Sequence, residues 1–352
     1  MVNPSLGEEI GPVPVGPAGG PREDELLATL RRLLSDDAPG VRLGLGDDAA
    51  LVDMGAHLGV LTADMLVEGV HFDLATTSAR DLGYKAVAVN VSDVAAMGGS
   101  PRYGLVSLGV PAAVDASWVV ELYGGIRDAA TEYAVSIVGG DTSRSDRVVL
   151  SVAVTGEVAR GRAVTRAGAR PADRIVVTGW LGGAAGGLAL SRADPHVVAQ
   201  AVGSGWGHEL LGAHFRPAAR VGEGQALAGG GATAMIDVSD GLTLDLWRLC
   251  RESGVGAAVR LADVPVHPAL FELAGVLEVE PLELALSGGE DYELLATLPA
   301  PAVKDVASGL RDRFGTTLME IGEIRAGEGL TAMDRDGNER PMEPKGWDHL
   351  AG

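Results

Sequence analysis

The sequence contains a single cysteine, Cys250, among 352 residues. An intrachain disulfide and a cysteine-based zinc or iron–sulfur site are therefore excluded, and a reducing, cytoplasmic location is expected. The longest uncharged run, 175–191, contains five glycines and is shorter than the roughly 20 apolar residues of a membrane span. The N-terminus also lacks the basic and apolar regions of a secretory signal. No membrane association is expected.

Basic residues are scarce as well: 28 lysines and arginines stand against 48 acidic residues, and the net charge is −20. A nucleic-acid partner is not expected, because nucleic-acid binding needs a basic surface. Phosphorylated substrates are compatible with this charge, since carboxylates bind them through Mg²⁺. None of the three lysines follows a glycine, which excludes a P-loop.

The alternation of strand and helix patterns predicts an α/β chain with two domains. Residues 1–21 are rich in glycine and proline and are predicted to be a disordered leader. We expect an N-terminal domain over 22–157, an arginine-containing junction over 158–172 and a C-terminal α/β domain over 173–352 that ends in a polar tail.

Local patterns predict several individual elements. A capping box at 78–81 predicts a helix that continues to about Met97. This helix is apolar nearly all round, so it is expected to be buried, and Asp93 inside it then needs a partner. Apolar and β-branched runs predict a continuous strand over 41–52 and another strand near 282–286.

The most informative pattern is a set of acidic residues placed among small residues at the ends of apolar runs. They occur at Gly46–Ala49, Thr62–Asp64, Asn90–Asp93, Gly139–Thr142, Asp237–Gly241 and Gly288–Asp291. Each motif alone is more typical of a turn or a helix cap. Together they favour a site in which carboxylates hold several Mg²⁺ ions around a triphosphate, since Mg²⁺ prefers hard oxygen ligands.

Two stretches could bind a phosphate through backbone N–H groups. Asp237–Gly241 follows a predicted strand and precedes a predicted helix. Ser239 or Asp240 is therefore expected to cap that helix, with or without a bound phosphate. Gly179–Gly187 also joins a strand to a helix, and its glycines fit either an anion cradle or close packing of the two elements.

Six motifs, in this order, resemble those of the thiamine-monophosphate kinase family, which belongs to the ATP-binding enzymes typified by aminoimidazole ribonucleotide synthetase. They are GDDAAL, TADMLVEGVHF, NVSDVAAMGG, VGGDT, DVSDGL and SGGEDYEL. The resemblance runs from about residue 24 to about residue 350. It implies a two-domain α/β fold of the α+β type, in which the N-terminal domain forms a β-barrel with that of a second subunit. A C-terminal α/β domain would cover the cleft of this homodimer.

The resemblance also implies the reaction, which is Mg²⁺-dependent transfer of the γ-phosphoryl group of ATP to thiamine monophosphate. The products would be thiamine diphosphate and ADP, formed by direct in-line attack. The nucleophile would be a phosphate oxygen that is largely dianionic near neutral pH. No residue is therefore expected to act as a catalytic general base, and Mg²⁺ with Arg166 would neutralise and align the two substrates.

Site residues follow from the same resemblance. Mg²⁺ would be bound by Asp48, Thr62, Asp64, Asp93, Asp141, Asp237 and Asp240. ATP would contact Tyr123, Gly140, Asp141, Arg166 and Ser239. Thiamine monophosphate would meet His71, Glu290 and Trp347. Ala63 departs from the family pattern, in which Ser or Thr often precedes the acid at Asp64. Only its backbone carbonyl or a water could then supply a ligand oxygen there.

Three alternatives stay open. Another enzyme of the superfamily, such as aminoimidazole ribonucleotide synthetase or a hydrogenase-maturation factor, would use ATP to activate a carbonyl or amide oxygen. A non-catalytic nucleotide-binding dimer would be expected to have lost acidic residues, whereas all six motifs retain theirs. An acidic scaffold without enzymatic activity would not need acids clustered at strand ends. EGVHF and SGGEDYEL favour the thiamine kinase.

Overall fold

The computed structural model describes residues 23–34 and 38–348. The predicted leader over 1–21 lies outside the described residues, and so do residues 349–352 of the predicted C-terminal domain. Two mixed sheets, each packed against helices, form two α/β units, which confirms the predicted fold class. Within the described ranges, no helix is both long enough and apolar enough to cross a membrane.

The first unit is built on one mixed sheet. Its elements are α1 (Glu23–Leu33), β1 (Val41–Leu43), β2 (Ala50–Asp53), β3 (His57–Val67), α2 (Ala79–Ala96), β4 (Ser100–Val110), α3 (Ala116–Glu132), β5 (Ser136–Arg144) and β6 (Val149–Ala159). The strand order is β1-β2-β3-β6-β4-β5. Only the β4–β5 pair is parallel among these described strands, and β5 forms one edge of the sheet.

The second unit has a larger sheet. Its elements are β7 (Arg174–Thr178), α4 (Gly183–Ser191), α5 (Pro195–Gly203), α6 (Trp206–Phe215), α7 (Val221–Gly229), β8 (Ala234–Asp237), α8 (Leu242–Ser253), β9 (Gly256–Arg260), α9 (Ala269–Ala274), α10 (Pro281–Ser287), β10 (Leu294–Leu298), α11 (Val303–Phe314), β11 (Leu318–Arg325), β12 (Gly329–Met333) and β13 (Glu339–Met342). The strand order is β13-β12-β9-β11-β7-β10-β8. Strands β7, β8 and β10 are almost entirely buried, so the centre of this sheet is a rigid support for the residues at its strand ends.

Helix α2 joins the two units. It begins where the capping box predicts, because Ser78 Oγ accepts a hydrogen bond from the N–H of Asp81 and donates one to its carboxylate at 2.7 Å. Nearly all of its side chains are buried, since it packs on α3, β3 and β6 of its own unit and on β8 and α7 of the other. Asp93, near its end, is therefore enclosed between the units.

Two predicted strands differ in the structure. The run over 41–52 is interrupted between β1 and β2, because Gly46 takes a positive φ of 107° and turns the chain into a loop that carries Asp47 and Asp48. The run near 282–286 forms helix α10 instead of a strand. Pro281 occupies its first turn, where proline is well tolerated, and the apolar side chains recur at helical rather than alternating spacing.

Helices α2 and α3 cross at unusually short range. A Cβ atom on Gly125 would lie 1.7 Å from the carbonyl oxygen of Arg80, and one on Gly83 would lie 2.0 Å from that of Leu122. Glycine is therefore required at both positions, because any side chain would force the helices apart.

We predict that Gly125→Ala lowers the free energy of unfolding by about 1–3 kcal/mol, since the added methyl group overlaps the backbone of α2. Urea unfolding followed by circular dichroism measures this loss. Gly124→Ala is the matched control, because a Cβ there would meet nothing closer than Arg80 Nη1 at 3.5 Å. Equal effects of the two substitutions would contradict the close packing.

Candidate active site

A cavity of about 650 Å³ opens between the two units. It brings together most of the site residues predicted from the sequence. Those that line it are Asp48, Thr62, Asp64, His71, Asp93, Arg166, Asp237, Ser239, Asp240, Glu290 and Trp347. They come from the β1–β2 loop, β3, α2, the segment between the units, the end of β8, the α10–β10 loop and the C-terminal tail.

Three predicted residues lie elsewhere in this chain. Tyr123 on α3 lines a separate shallow pocket with Ile137 and Val135. Gly140 and Asp141 lie on the edge strand β5 and are exposed to solvent. A single chain therefore does not bring these three residues to the cavity that holds the others.

Three carboxylates form the centre of the cavity. Asp48 comes from the β1–β2 loop, Asp93 from α2 and Asp237 from the end of β8. One oxygen of each lies within 4.8 Å of the other two. Ser92 Oγ donates a hydrogen bond to Asp237 Oδ2 at 2.5 Å, and the hydroxyl of Thr62 donates to Asp93. Residues from both units thus converge on one point.

The electrostatics of this cluster favour a bound cation. Burial raises the pKa of Asp93 well above its ordinary value, and the Asp64 and Asp237 carboxylates raise it further. Burial and the charge of Asp48 raise the pKa of Asp237 in the same way. Oδ2 of Asp48 is buried without a hydrogen-bond partner in the described part of the chain. An unpartnered carboxylate oxygen among like charges fits a hard divalent cation such as Mg²⁺.

Two arginines offset part of this negative charge. Arg166 Nη2 lies 2.5 Å from Asp48 Oδ1, and its backbone N–H donates to Asp47 Oδ2 at 3.0 Å. Burial and the nearby Asp48 carboxylate still raise the pKa of Asp47 to about 7. On α8, Arg248 pairs with both Asp240 and Asp245.

Asp245 and Arg248 are residues that the sequence patterns missed. Their three-residue spacing on one helix was the available signal, but such pairs are common on exposed helices and do not by themselves indicate a site. In the structure, burial and the nearby Asp240 carboxylate raise the pKa of Asp245 to about 7. The pair is thus part of the same buried network of charges.

The two predicted backbone sites for phosphate are filled by internal carboxylates. Helix α8 is capped at Gly241 without a side-chain hydrogen bond, so the prediction of Ser239 or Asp240 as its cap is wrong. Asp245 Oδ2 instead accepts the N–H groups of Asp240 and Gly241, at 3.0 and 3.1 Å. The side chain thus reaches back one turn and satisfies donors that a phosphate would otherwise use.

The glycine-rich turn before α4 is occupied in the same manner. Asp291 accepts the N–H of Gly182 at 2.6 Å and that of Ala184 at 3.1 Å. A Cβ on Gly187 would lie 2.1 Å from the carbonyl oxygen of Leu210. Close packing against α6, rather than an anion cradle, accounts for these glycines.

The residues expected to meet the acceptor substrate line the same cavity. His71 Nδ1 accepts the N–H of Val67 at 3.0 Å, which fixes the ring at the end of β3. The Trp347 backbone donates to the carbonyl oxygen of Asp240 at 2.9 Å, and the residue remains half exposed. Glu290 is paired with a buried lysine, Lys85, at 2.7 Å. Ala63 stands on β3 beside Asp64 and also borders the cavity.

Comparison with known proteins agrees with this architecture. Residues 46–158 match the N-terminal domain and residues 170–335 the C-terminal domain of AIR synthase related proteins. The fold and the composite site between its two units thus define an enzyme of the AIR synthase related class. A hydrogenase maturation protein, HypE in complex with ATP, has the same fold with a TM-score of 0.64. At 22% identity over 91% of this chain and 95% of that one, it shows the fold alone.

More similar relatives are found within the class. The thiamine-monophosphate kinase of Escherichia coli (strain K12) is 40% identical over 318 residues, which cover 88% of this chain and 93% of that protein. A solved structure described as AaThiL complexed with AMPPCP and TMP is 34% identical, with a TM-score of 0.79, and covers 93% of this chain and 97% of that one. The chain therefore belongs to the thiamine-monophosphate kinase family and is a kinase.

We predict that Asp93→Asn stabilises the metal-free protein and removes its activity. The pKa of Asp93 is higher in the folded than in the unfolded protein. Its contribution to the free energy of unfolding is therefore fully present at a pH below the unfolded pKa, where the side chain is protonated in both states. That contribution is lost as the pH rises through the folded pKa. The gain in unfolding free energy from Asp93→Asn should therefore be larger at pH 8 than near pH 4, which is about the unfolded pKa of an aspartate, measured by urea unfolding in EDTA.

Asparagine keeps the shape of the side chain and can still accept from Thr62, so the fold should persist while turnover falls by orders of magnitude. Asp312→Asn, at an exposed position of α11, is the control for removal of one negative charge. Near-normal turnover of the Asp93 variant would contradict a role for this carboxylate, as would a stability gain independent of pH.

Proposed function

We propose that this protein transfers the γ-phosphoryl group of ATP to thiamine monophosphate with Mg²⁺, giving thiamine diphosphate and ADP. One observation carries the proposal: buried carboxylates from both units meet around an unpartnered Asp48 oxygen. They do so in a chain whose relatives are thiamine-monophosphate kinases. The related solved structure with a TM-score of 0.79 contains an ATP analogue, AMPPCP, together with TMP.

The carboxylates of the cavity would hold the metal. Asp48, Asp93 and Asp237 are close enough to share an ion, Asp64 adjoins them, and Thr62 orients Asp93. Bound Mg²⁺ supplies Lewis-acid neutralisation of the phosphate oxygens. Asp240 would contribute a further ligand from the second unit.

Arg166 would serve the nucleotide. Its guanidinium lies on Asp48 in this structure, and it is the sort of planar, permanently charged group that binds phosphate oxygens in a bidentate manner. We infer that it exchanges Asp48 for a phosphate when metal and ATP are bound. Ser239, which borders the cavity beside Asp240, would contact the same nucleotide.

Proton transfer needs no dedicated residue in this reaction. The attacking group is a phosphate oxygen whose second pKa is about 6, so it is mostly deprotonated near neutral pH. The obstacle is the approach of two polyanions, and positioned cations remove it. His71, Glu290 and Trp347 would orient the thiamine monophosphate, and the Trp347 ring would stack on its cationic or aromatic rings.

A homodimer would complete the ATP site. Tyr123, Gly140 and Asp141 lie outside the cavity of their own chain. β5, which carries Gly140 and Asp141, is a sheet edge whose residues are nearly all exposed. An exposed edge strand is a surface on which another chain can add. We infer that these three residues serve the cavity of a second subunit.

Exposed apolar side chains next to this edge also favour a subunit interface at β5. Tyr103 and Leu105 on β4 and Val138 on β5 are each at least half exposed. Apolar side chains grouped in this manner are typical of an interaction surface. A second copy of the sheet would cover them and close the proposed barrel.

The cytoplasmic location expected from the cysteine content stays a prediction.

The assay that tests the function is formation of thiamine diphosphate from ATP and thiamine monophosphate by the purified protein. We predict product and ADP in equal amounts with Mg²⁺ and none with EDTA, because the buried carboxylates need the cation to accept a triphosphate. ATP binding without turnover would contradict the proposed activity and favour a nucleotide-binding role. Turnover with another acceptor only would contradict the substrate.

The dimer is tested by mixing two inactive subunits. Asp93→Asn disables the cavity of its own chain, whereas Asp141→Asn would disable the cavity of the partner. Random pairing of the two gives one intact site in each mixed dimer, so co-expression should restore about a quarter of wild-type activity. A mixture as inactive as its parents would contradict the shared site.

A further inference from the structure

Glu290 is held by two buried side chains that the mechanism above does not use. Lys85 Nζ on α2 lies 2.7 Å from Glu290 Oε1, and His214 Nδ1 on α6 lies 3.2 Å from Glu290 Oε2. The side chains of Lys85 and His214 are 4% and 5% exposed. Each carboxylate oxygen therefore faces a nitrogen atom of its own, and the two nitrogens come from different units of the fold. The His214 contact is a close approach and not a hydrogen bond of standard geometry, since Nδ1 has no such partner among the described residues.

A lysine within α2 is costly and so needs an explanation. The surrounding side chains of this helix are almost all buried, and a buried ammonium without a partner is strongly unfavourable. Pairing with Glu290 compensates this cost, but an apolar residue at position 85 would have avoided it altogether. A gain in stability therefore does not account for the lysine.

The backbone around Glu290 is also unusual. Glu290 and Tyr292 have positive φ values of 68° and 51°, a conformation that costs non-glycine residues about 1–3 kcal/mol each. Backbone hydrogen bonds hold this loop in place. The N–H of Glu290 donates to the carbonyl oxygen of Ser239 at 2.7 Å. The N–H of Tyr292 donates to that of Val238 at 2.9 Å. The side chain of Glu290 is thus directed by a strained but well-anchored loop.

The charges of Glu290 and His214 follow from their surroundings. Burial alone would raise the pKa of Glu290, but the Lys85 ammonium and, to a smaller extent, the nearby His214 imidazole lower it to about 2. Burial lowers the pKa of His214, which the Glu290 carboxylate only partly offsets. Near neutral pH the glutamate is therefore an anion and the imidazole of His214 is neutral.

We propose that Lys85 and His214 are positioning residues that fix the direction of the Glu290 carboxylate, so that it accepts a hydrogen bond from the acceptor substrate. The lone pairs that Lys85 and His214 leave unused are available to the cavity, which Glu290 and His214 both line. The matching ligand chemistry is an amino-substituted heteroaromatic ring. This inference rests on the proposed function, in which that ring is the aminopyrimidine of thiamine monophosphate.

Steady-state kinetics of Lys85→Met test the proposal. Methionine fills the buried space without a charge, so we expect the KM for thiamine monophosphate to rise about tenfold or more, as for loss of a hydrogen bond to a charged group. The KM for ATP should stay within about twofold, since the metal carboxylates are untouched. Lys85→Arg should recover part of the loss, and Lys304→Met, at an exposed lysine, should resemble the wild type.

Three outcomes distinguish the possibilities. If the wild-type enzyme makes thiamine diphosphate and Lys85→Met leaves the KM for thiamine monophosphate unchanged, the positioning role is overturned. An equal loss for both substrates would overturn it too, because it indicates a general structural defect. A wild type that makes no thiamine diphosphate overturns the proposed function instead. If Lys85→Met does not fold, His214→Phe, which removes only the second nitrogen contact to Glu290, must give the same selective rise in KM.

Discussion

The mutual repulsion of buried carboxylates is the constraint on which the rest of the structure depends. Asp48, Asp93 and Asp237 are held within 4.8 Å of one another, although each would be more stable apart from the others. The fold tolerates this repulsion because packing of the rest of the chain stabilises the folded state. The ion pair with Arg166 also compensates the negative charge of Asp48. In the proposed function, a bound cation between these carboxylates and the polyphosphate offsets the repulsion.

Helix α2 is the element that enforces this arrangement. Its polar side chains contact four different partners: Lys85 contacts Glu290, Asn90 accepts the N–H of Asp64, Ser92 bonds Asp237 and Asp93 bonds Thr62. The helix is enclosed on every side, and glycines at its crossing with α3 let the two backbones meet. A single buried helix therefore aligns the proposed metal site with the proposed acceptor site across both units.

Much of the fold and of the site could be predicted from the sequence. Strand and helix patterns gave the α/β class, and the acidic motifs marked residues that do meet, such as Asp48 and Asp237, because acids among small residues at strand ends are rarely solvated surface. Predictions from local sequence patterns were wrong where the tertiary structure determines which group accepts a hydrogen bond. Asp245 accepts hydrogen bonds from the N–H groups that were predicted to bind a capping side chain or a phosphate. Asp291 likewise accepts the N–H groups of the glycine-rich turn before α4. The pairing of Lys85 with Glu290 spans 205 positions of the sequence and leaves no local pattern.

The central claim is that carboxylates of both units bind the metal that receives the triphosphate. The most direct measurement is a crystal structure with AMPPCP and Mn²⁺ in place of Mg²⁺, with the ions located by anomalous scattering. The account predicts an ion bound jointly by oxygens of Asp48, Asp93 and Asp237, with Arg166 moved from Asp48 to a phosphate. Ions bound by the triphosphate alone, with Arg166 still paired to Asp48, would contradict it.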